Sequence, residues 1–328
     1  MRLKYLITIV AVICLQLAAS AIAEAQDARL LKFGYILAQN SQLGAGASAF
    51  ATTLENVAPS RFKIEQYPNS ILGGEVEMLK GIQIGAVDIA FITGAPLPNF
   101  VPEAGVINIP FLFRDAAHAY GVLDGPIGQD LLAKFAAKNI IALAWGENGM
   151  RHLTNAKHAV MVPADVQGLK LRTPQSDVIM AGFRALNADV SPLPFPQLYD
   201  ALKSGQFDGQ ENPIATIIAS KFNQVQKYLT LTAHVYDPAV VVVSPDLWAE
   251  LSEADKSAFI AAAKSAALAS RAYAAEAEAK GVAVLEGAGM QVVRTVDRSA
   301  FTKAVEPAML ALEAKFGAEL IRKIRSAH

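Results

Sequence analysis

Apolar and polar positions along the chain switch repeatedly between a period of two and a period near 3.6. Residues 30–37 form an apolar and aromatic run, 45–57 carry Phe50, Leu54 and Val57 at helical spacing, and 62–67 alternate as a strand that stops at Pro68. A helix is predicted over 75–84, with Met78 and Ile82 on one face, and a buried strand over 87–92. The rhythm continues with a helix over 126–137, strands over 140–145 and 169–172, a helix over 176–186, a strand over 190–193 and a helix over 196–204. Strands alternating with helices predict an α/β fold.

The polar stretch Phe207-Asp208-Gly209-Gln210-Glu211-Asn212-Pro213 breaks the periodicity and reads as a turn that seeds another helix, with Pro213 in its first turn. Residues 235–244 hold four consecutive valines, a buried strand. Ser252 and Asp255 form a capping box for an Ala-rich helix reaching about Leu285. At ~1.5 Å per residue such a helix is about 45 Å long, wider than one small domain, and is expected to lie across two. A strand over 291–296 and a terminal helix over 299–326 finish the pattern. Without repeats or a long linker, the domains are expected to be joined by several short crossings.

Length agrees: 328 residues suit two domains of about 150 each. With 53% hydrophobic residues, 18% charged residues and a net charge of -1, the chain is neither disordered nor a polycationic nucleic-acid binder, so a small ligand is expected. Part of the apolar excess is a leader. Arg2 and Lys4 precede the apolar run 6–15, and Ala21-Ile22-Ala23 and Ala23-Glu24-Ala25 supply small-residue cleavage patterns. Residues 1–25 therefore read as a secretory signal peptide cleaved near Ala23 or Ala25, and the chain as an exported protein. Its removal takes away two basic residues and one acidic residue, leaving a net charge of -2. The single cysteine, Cys14, lies inside this leader, so the mature chain has no disulfide, thiolate metal site or cysteine nucleophile.

Candidate chemistry is sparse. Gly44-Ala45-Gly46-Ala47-Ser48-Ala49 matches a dinucleotide fingerprint, but six residues separate it from the preceding strand where the fingerprint needs a tight turn, and close helix packing explains it better. His118, His152, His158, His234 and His328 lack metal-site spacing, and neither a nucleophile elbow nor a phosphate-binding loop occurs. No cofactor or metal is expected. Arg151 follows the strand over 140–145 near a domain crossing, and Arg172 ends the strand over 169–172 before a helix. Ligands of open α/β sheets bind at such strand ends, where a guanidinium fork matches a carboxylate. A surface arginine paired with a nearby Asp is the competing reading.

The passages 67–75 (YPNSILGGE), 149–154 (GMRHLT), 168–174 (GLKLRTP) and 208–213 (DGQENP) resemble the extracytoplasmic solute-binding subunits of tripartite ATP-independent periplasmic (TRAP) transporters, the DctP-type family, from about Leu31 to the C-terminus. The resemblance implies a two-domain clamshell that closes on an organic-acid anion and delivers it to membrane subunits, with no direct membrane insertion. It implies Arg172 as the main carboxylate clamp, Arg151 as the second arginine, Asn212 as the amide on the same carboxylate, Phe195 as an aromatic wall, and Glu75 and Thr93 as pocket positions of variable chemistry. Phe195 and Trp145 are expected to favour a flat or apolar ligand tail. Gly44, where many relatives carry histidine, Gln197, where a glutamate is usual, and Pro96 and Ile36 depart from the pattern at the far end of the ligand and speak against sialic acid. The expected domains are 27–148 with 238–277, and 149–237 with 278–328. A secreted hydrolase or lyase anchoring its substrate on Arg172 is the alternative.

Overall fold

A computed structural model describes residues 28–327; the leader expected over 1–25 lies outside them. In chain order the elements are β1 (Arg29–Gly34), α1 (Gln42–Val57), β2 (Phe62–Tyr67), α2 (Glu75–Gln83), β3 (Ile89–Thr93), α3 (Ala116–Asp124), α4 (Pro126–Lys134), β4 (Ile141–Asn155), β5 (Lys170–Thr173), α5 (Asp177–Ala185), β6 (Asp189–Pro192), α6 (Leu198–Lys203), β7 (Gly209–Pro213), α7 (Ile214–Ala219), β8 (Tyr228–Val243), α8 (Pro245–Glu250), α9 (Glu253–Gly287), β9 (Gln291–Val293), α10 (Arg298–Ala304), α11 (Glu306–Phe316) and α12 (Ala318–Ser326). Between β3 and α3 the chain runs through two 3-10 turns, a stretch in which no element was foreseen.

The strands hydrogen-bond in the order β2-β1-β3-β8-β4-β7-β5-β6, with β9 on β8. Two long antiparallel strands, β4 and β8, run through both halves. Residues 239–243 of β8 pair with β3 on one side and with 141–146 of β4 on the other, whereas 151–155 of β4 pair with β7 and 228–230 of β8 pair with β9. The β4–β8 register slips at Ala142/Ala144, inside the first stretch, and again at Glu147/Gly149 and Arg151/Leu153, where the strands pass from one stretch to the other. A bulge leaves ladder groups unpaired and bends the strand, so the two slips between Glu147 and Leu153 fall at the crossing between two lobes.

Each lobe has its own apolar core. Phe33, Phe50, Phe259 and Phe62 meet edge to face in the first, in that order, at centroid distances of 5.2–5.7 Å for successive pairs, a geometry worth about 0.5–1.5 kcal/mol per pair beyond area burial. The second lobe has two clusters, around Phe183 and around Phe222. The 35-residue α9, opened by the Ser252/Asp255 capping box, buries Phe259, Ala262, Ala263 and Ala266 in the first core and Val282 and Leu285 in the second. It spans both lobes, as its length predicted.

Several boundaries differ from the sequence reading. The stretch 209–213, read as a turn, is the strand β7, buried at all five positions between β4 and β5. Its polar side chains hide the strand from any hydrophobic pattern. Similarly β4 continues ten residues past 145, and β8 starts seven residues before 235. The terminal helix divides into three, at Pro307 in the first turn of α11 and at Gly317, whose φ of 89° suits glycine. Met309, Leu312, Ile321 and Ile324 of α11 and α12 pack into the first lobe's core rather than the second, where 278–328 was expected. Gly44 and Gly46 lie inside α1. A Cβ on Gly44 would come 2.0 Å from the Gln39 carbonyl oxygen, and one on Gly46 2.4 Å from the Phe91 ring. Close packing accounts for both glycines. Among the described residues no helix is long and apolar enough to cross a membrane.

Candidate ligand-binding site

Buried polar side chains gather where β5, β7 and the β4–β8 crossing of the second lobe face α2 and the end of β3 in the first. The registers sort them onto two faces of the sheet. Arg172 stands beside Gln210 and His152 beside Asn212, so these four share one face. Glu211 stands beside Leu153 and Arg151 beside Pro213, on the other face. Thus the alternation of Gln210, Glu211 and Asn212 serves two separate purposes.

Arg151 is engaged by the protein itself. Its Nε and Nη2 donate to the two carboxylate oxygens of Glu211 at 2.5 and 2.7 Å, Nη2 donates again to the Glu211 carbonyl at 2.6 Å, and Nη1 donates to Asp237 at 2.6 Å. His234 adds a 3.0 Å contact to Glu211, and the Asn148 amide donates to Asp237 at 2.8 Å. Burial alone would push the Arg151 pKa down, but Glu211 and Asp237 reverse this and raise it. Burial likewise opposes ionisation of Glu211, yet Arg151 and His234 hold its carboxyl down to about 2. Asp237 is raised by burial despite Arg151 and Asn148, and burial lowers His234. The result is a fixed bidentate pair with a second carboxylate attached.

Arg172 is different. It is as buried as Arg151, at 2% exposure, but its Nε and Nη2 donate only to the Leu193 carbonyl, at 2.8 and 2.6 Å. Among the described residues no carboxylate lies within ion-pair distance of it. Burial pushes its guanidinium down to about 9; Arg151 adds to this, while Glu211 and Glu75 counter it from farther away. An arginine does not give up its proton in a protein, so the downward direction marks a buried cation whose attraction to an anion is unsatisfied. Asn212, on the same face, donates to Gln210 at 2.5 Å.

Across from these groups, Glu75 opens α2 and accepts the Thr93 backbone N–H at 2.6 Å. Burial pushes the Glu75 carboxyl up to about 7; the Thr93 hydrogen bond opposes this, Asp237 adds to it and Arg172 opposes it. Phe195 follows Leu193 in a 3-10 turn, packs against Phe222 at 6.2 Å, and lines a cavity of about 220 Å³ with Ile36, Asn69, Ser70 and Tyr199. Larger grooves, of about 770 and 720 Å³, run beside the C-terminal helices and along α9, away from these residues.

The structure therefore brings Glu75, Thr93, Arg151, Arg172 and Asn212 to one interlobe region, with Phe195 at its edge. Trp145 is not part of it. Its indole donates to the Gly128 carbonyl at 2.9 Å and it packs on Phe135 in the first lobe's core. Gln42, Glu211, His234 and Asp237 were missed. Gln42 bonds Asn148 and Thr216 from the start of α1, at 2.8–2.9 Å, bridging to α7 of the second lobe. The signal for the last two was available: a histidine and an aspartate interrupt an otherwise apolar strand, and buried charges need partners. Among the described residues no cluster of His, Cys, Asp and Glu could hold a metal ion.

A profile of the bacterial extracellular solute-binding protein family 7 (DctP) matches residues 33–315. A solute-binding protein of Verminephrobacter eiseniae is 44% identical over 290 residues, covering 88% of this chain and 87% of the relative. The crystal structure of a TRAP periplasmic solute-binding protein from Polaromonas sp. JS666 bound to D-erythronate superposes with a TM-score of 0.90 at 47% identity, covering 91% of this chain and 99% of the other. One from Bordetella bronchispeptica, with density assigned to pantoate, gives 0.89 at 48% identity, covering 92% and 99%.

Proposed function

Because the chain belongs to the bacterial extracellular solute-binding protein family 7, we propose that it captures a small organic acid between its lobes by the carboxylate and hands it to the membrane subunits of a TRAP transporter. It does this in the periplasm after loss of the leader over 1–25. One observation carries the reading: Arg172 is a buried guanidinium to which, among the described residues, no carboxylate is bonded, and it faces a region lined by groups from both lobes. A ligand carboxylate supplies that missing charge. Asn212, on the same face, orients it, and Phe195 walls the adjoining cavity. Arg151, with four hydrogen bonds already made, acts by holding Glu211 and Asp237 in place and by adding positive field. The lobes move about the slipped stretch of β4 and β8, with Gln42 as a closing latch between α1 and α7. The relatives bound to D-erythronate and pantoate support an acid of this size.

Calorimetry with D-erythronate tests the clamp. Arg172→Ala should weaken binding by about 2–5 kcal/mol, at least about thirtyfold, since it leaves a buried carboxylate unpaired. Arg172→Lys should restore only part, because an ammonium lacks the planar fork. Near-wild-type affinity in the Ala variant would overturn the assignment. Recovery of the acid unchanged after long incubation would separate capture from hydrolysis or elimination.

A further inference from the structure

We infer that Glu75 sets the selectivity of this site, favouring a singly charged hydroxy acid over a dicarboxylate of the same length; the inference rests on the Arg172 clamp proposed above. The argument is one of charge. At this site two buried guanidinium groups, Arg151 and Arg172, meet three buried carboxyl groups, Glu75, Glu211 and Asp237, while the buried Glu147 and Asp255 are engaged elsewhere by Tyr120 and Arg61. Arg151 is bonded to both Glu211 and Asp237. Among the described residues one cation, Arg172, and one carboxyl, Glu75, are left without an opposite charge in contact. The ligand's carboxylate satisfies the first. What remains of the ligand then faces an acceptor.

Geometry fixes that acceptor. Thr93 holds the Glu75 carboxyl against the end of β3 through its backbone N–H at 2.6 Å and through its side chain, and among the described residues no cation is paired with it. A carboxylate takes hydrogen bonds from hydroxyl groups and repels a second carboxylate. The charged groups that bear on it are Asp237, which repels further negative charge, and Arg172, which the ligand itself neutralises. The adjoining cavity offers no rescue for a second anion: Asn69, Ser70, Tyr199 and Ser220 line it with Ile36 and Phe195, and it contains no Lys, Arg or His. Its neutral donors and acceptors suit hydroxyl groups. A dicarboxylate therefore enters only if Glu75 takes up a proton.

The test compares D-erythronate with succinate, both four carbons long, by calorimetry at pH 8 on the wild-type protein and on Glu75→Gln. The wild type should prefer erythronate by at least about thirtyfold, and succinate should bind with uptake of about one proton, read by repeating the titration in buffers of different ionisation enthalpy. Glu75→Gln should shrink the preference by about tenfold or more and abolish the uptake. Equal wild-type affinities, or a preference that Glu75→Gln leaves intact, would overturn the inference while leaving the clamp standing. Failure of both acids to bind, or erythronate binding indifferent to Arg172→Ala, would overturn the clamp and the inference with it. If Glu75→Gln fails to fold, the wild-type ratio and proton count still decide.

Discussion

Arg151 and Arg172 sit in one sheet at equal burial, each with a guanidinium wholly removed from bulk water. Arg151 has two carboxylates and a carbonyl; Arg172 has one carbonyl. Taking a guanidinium out of water costs several kcal/mol in either case. In the first the protein offsets the cost itself, so the pair belongs to the frame. In the second the described residues supply no such offset, and the proposed clamp would take it from a ligand. On the reading proposed above, burial and residue type alone do not distinguish a structural arginine from a ligand-facing one. The partner list does.

The largest way to break this comparison is to exchange the consequences. Arg151→Ala strands Glu211 and Asp237 as buried, unpaired anions, and should lower the unfolding free energy by about 3–5 kcal/mol. Arg172→Ala strands only the Leu193 carbonyl and should change it by about 1 kcal/mol in either direction. Denaturant midpoints at equal slope measure both. A larger loss at Arg172 than at Arg151 would show that the two roles are reversed.

The pH dependence sharpens the same contrast, with opposite signs on the two sides. Glu211 is depressed from its ordinary 4.5 to about 2, so its stabilisation is present above about 4.5 and is lost as pH falls toward 2. Glu75 is raised from 4.5 to about 7, so the folded state binds more protons than the unfolded chain in that interval. Stability on its account is greatest below about 4.5 and declines as pH rises through 7. Glu147, raised to about 7 by burial against the opposing Tyr120 hydrogen bond and Arg271, contributes a decline of the same sign. Replacing Glu75 with Gln should therefore flatten the ligand-free slope between pH 5 and 7 by up to about 1.4 kcal/mol per pH unit and leave the acid limb unchanged. Thermal melts across pH 3–8 read both limbs, and an altered acid limb would tie Glu75 to the Arg151 network.

How much of this the sequence disclosed depended on what each residue's neighbours do. The α/β rhythm and the long α9 were legible because their burial is apolar and periodic. The resemblance brought Arg172 and Asn212 forward, but not their difference from Arg151. That difference depends on Glu211, in a strand that reads as a turn, and on Asp237, an acid inside the strand read over 235–244 whose partner lies on another strand. A strand whose buried face is polar has no signature in hydrophobic periodicity, because its burial is satisfied by charge and hydrogen bonds across strands distant in sequence. The packing of α11 and α12 was equally hidden, since an amphipathic helix announces a buried face and not the core that receives it.

The smallest expected effect concerns Trp145, which an aromatic-wall expectation placed beside the ligand. Its indole N–H is bonded to Gly128 and its ring lies 6.2 Å from Phe135, inside the first lobe's core. Trp145→Phe removes one buried hydrogen bond, and should cost about 1–2 kcal/mol of stability. Affinity for D-erythronate should stay within about twofold, because ligand-free and bound protein carry the same loss and a term common to both cancels from the binding free energy. Phe195→Ala, in the wall of the interlobe cavity, should do the reverse, weakening binding more than folding. If Trp145→Phe weakened binding tenfold while Phe195→Ala did not, the ligand would have to lie on the first lobe's side of the crossing, and Arg172 could not be its clamp.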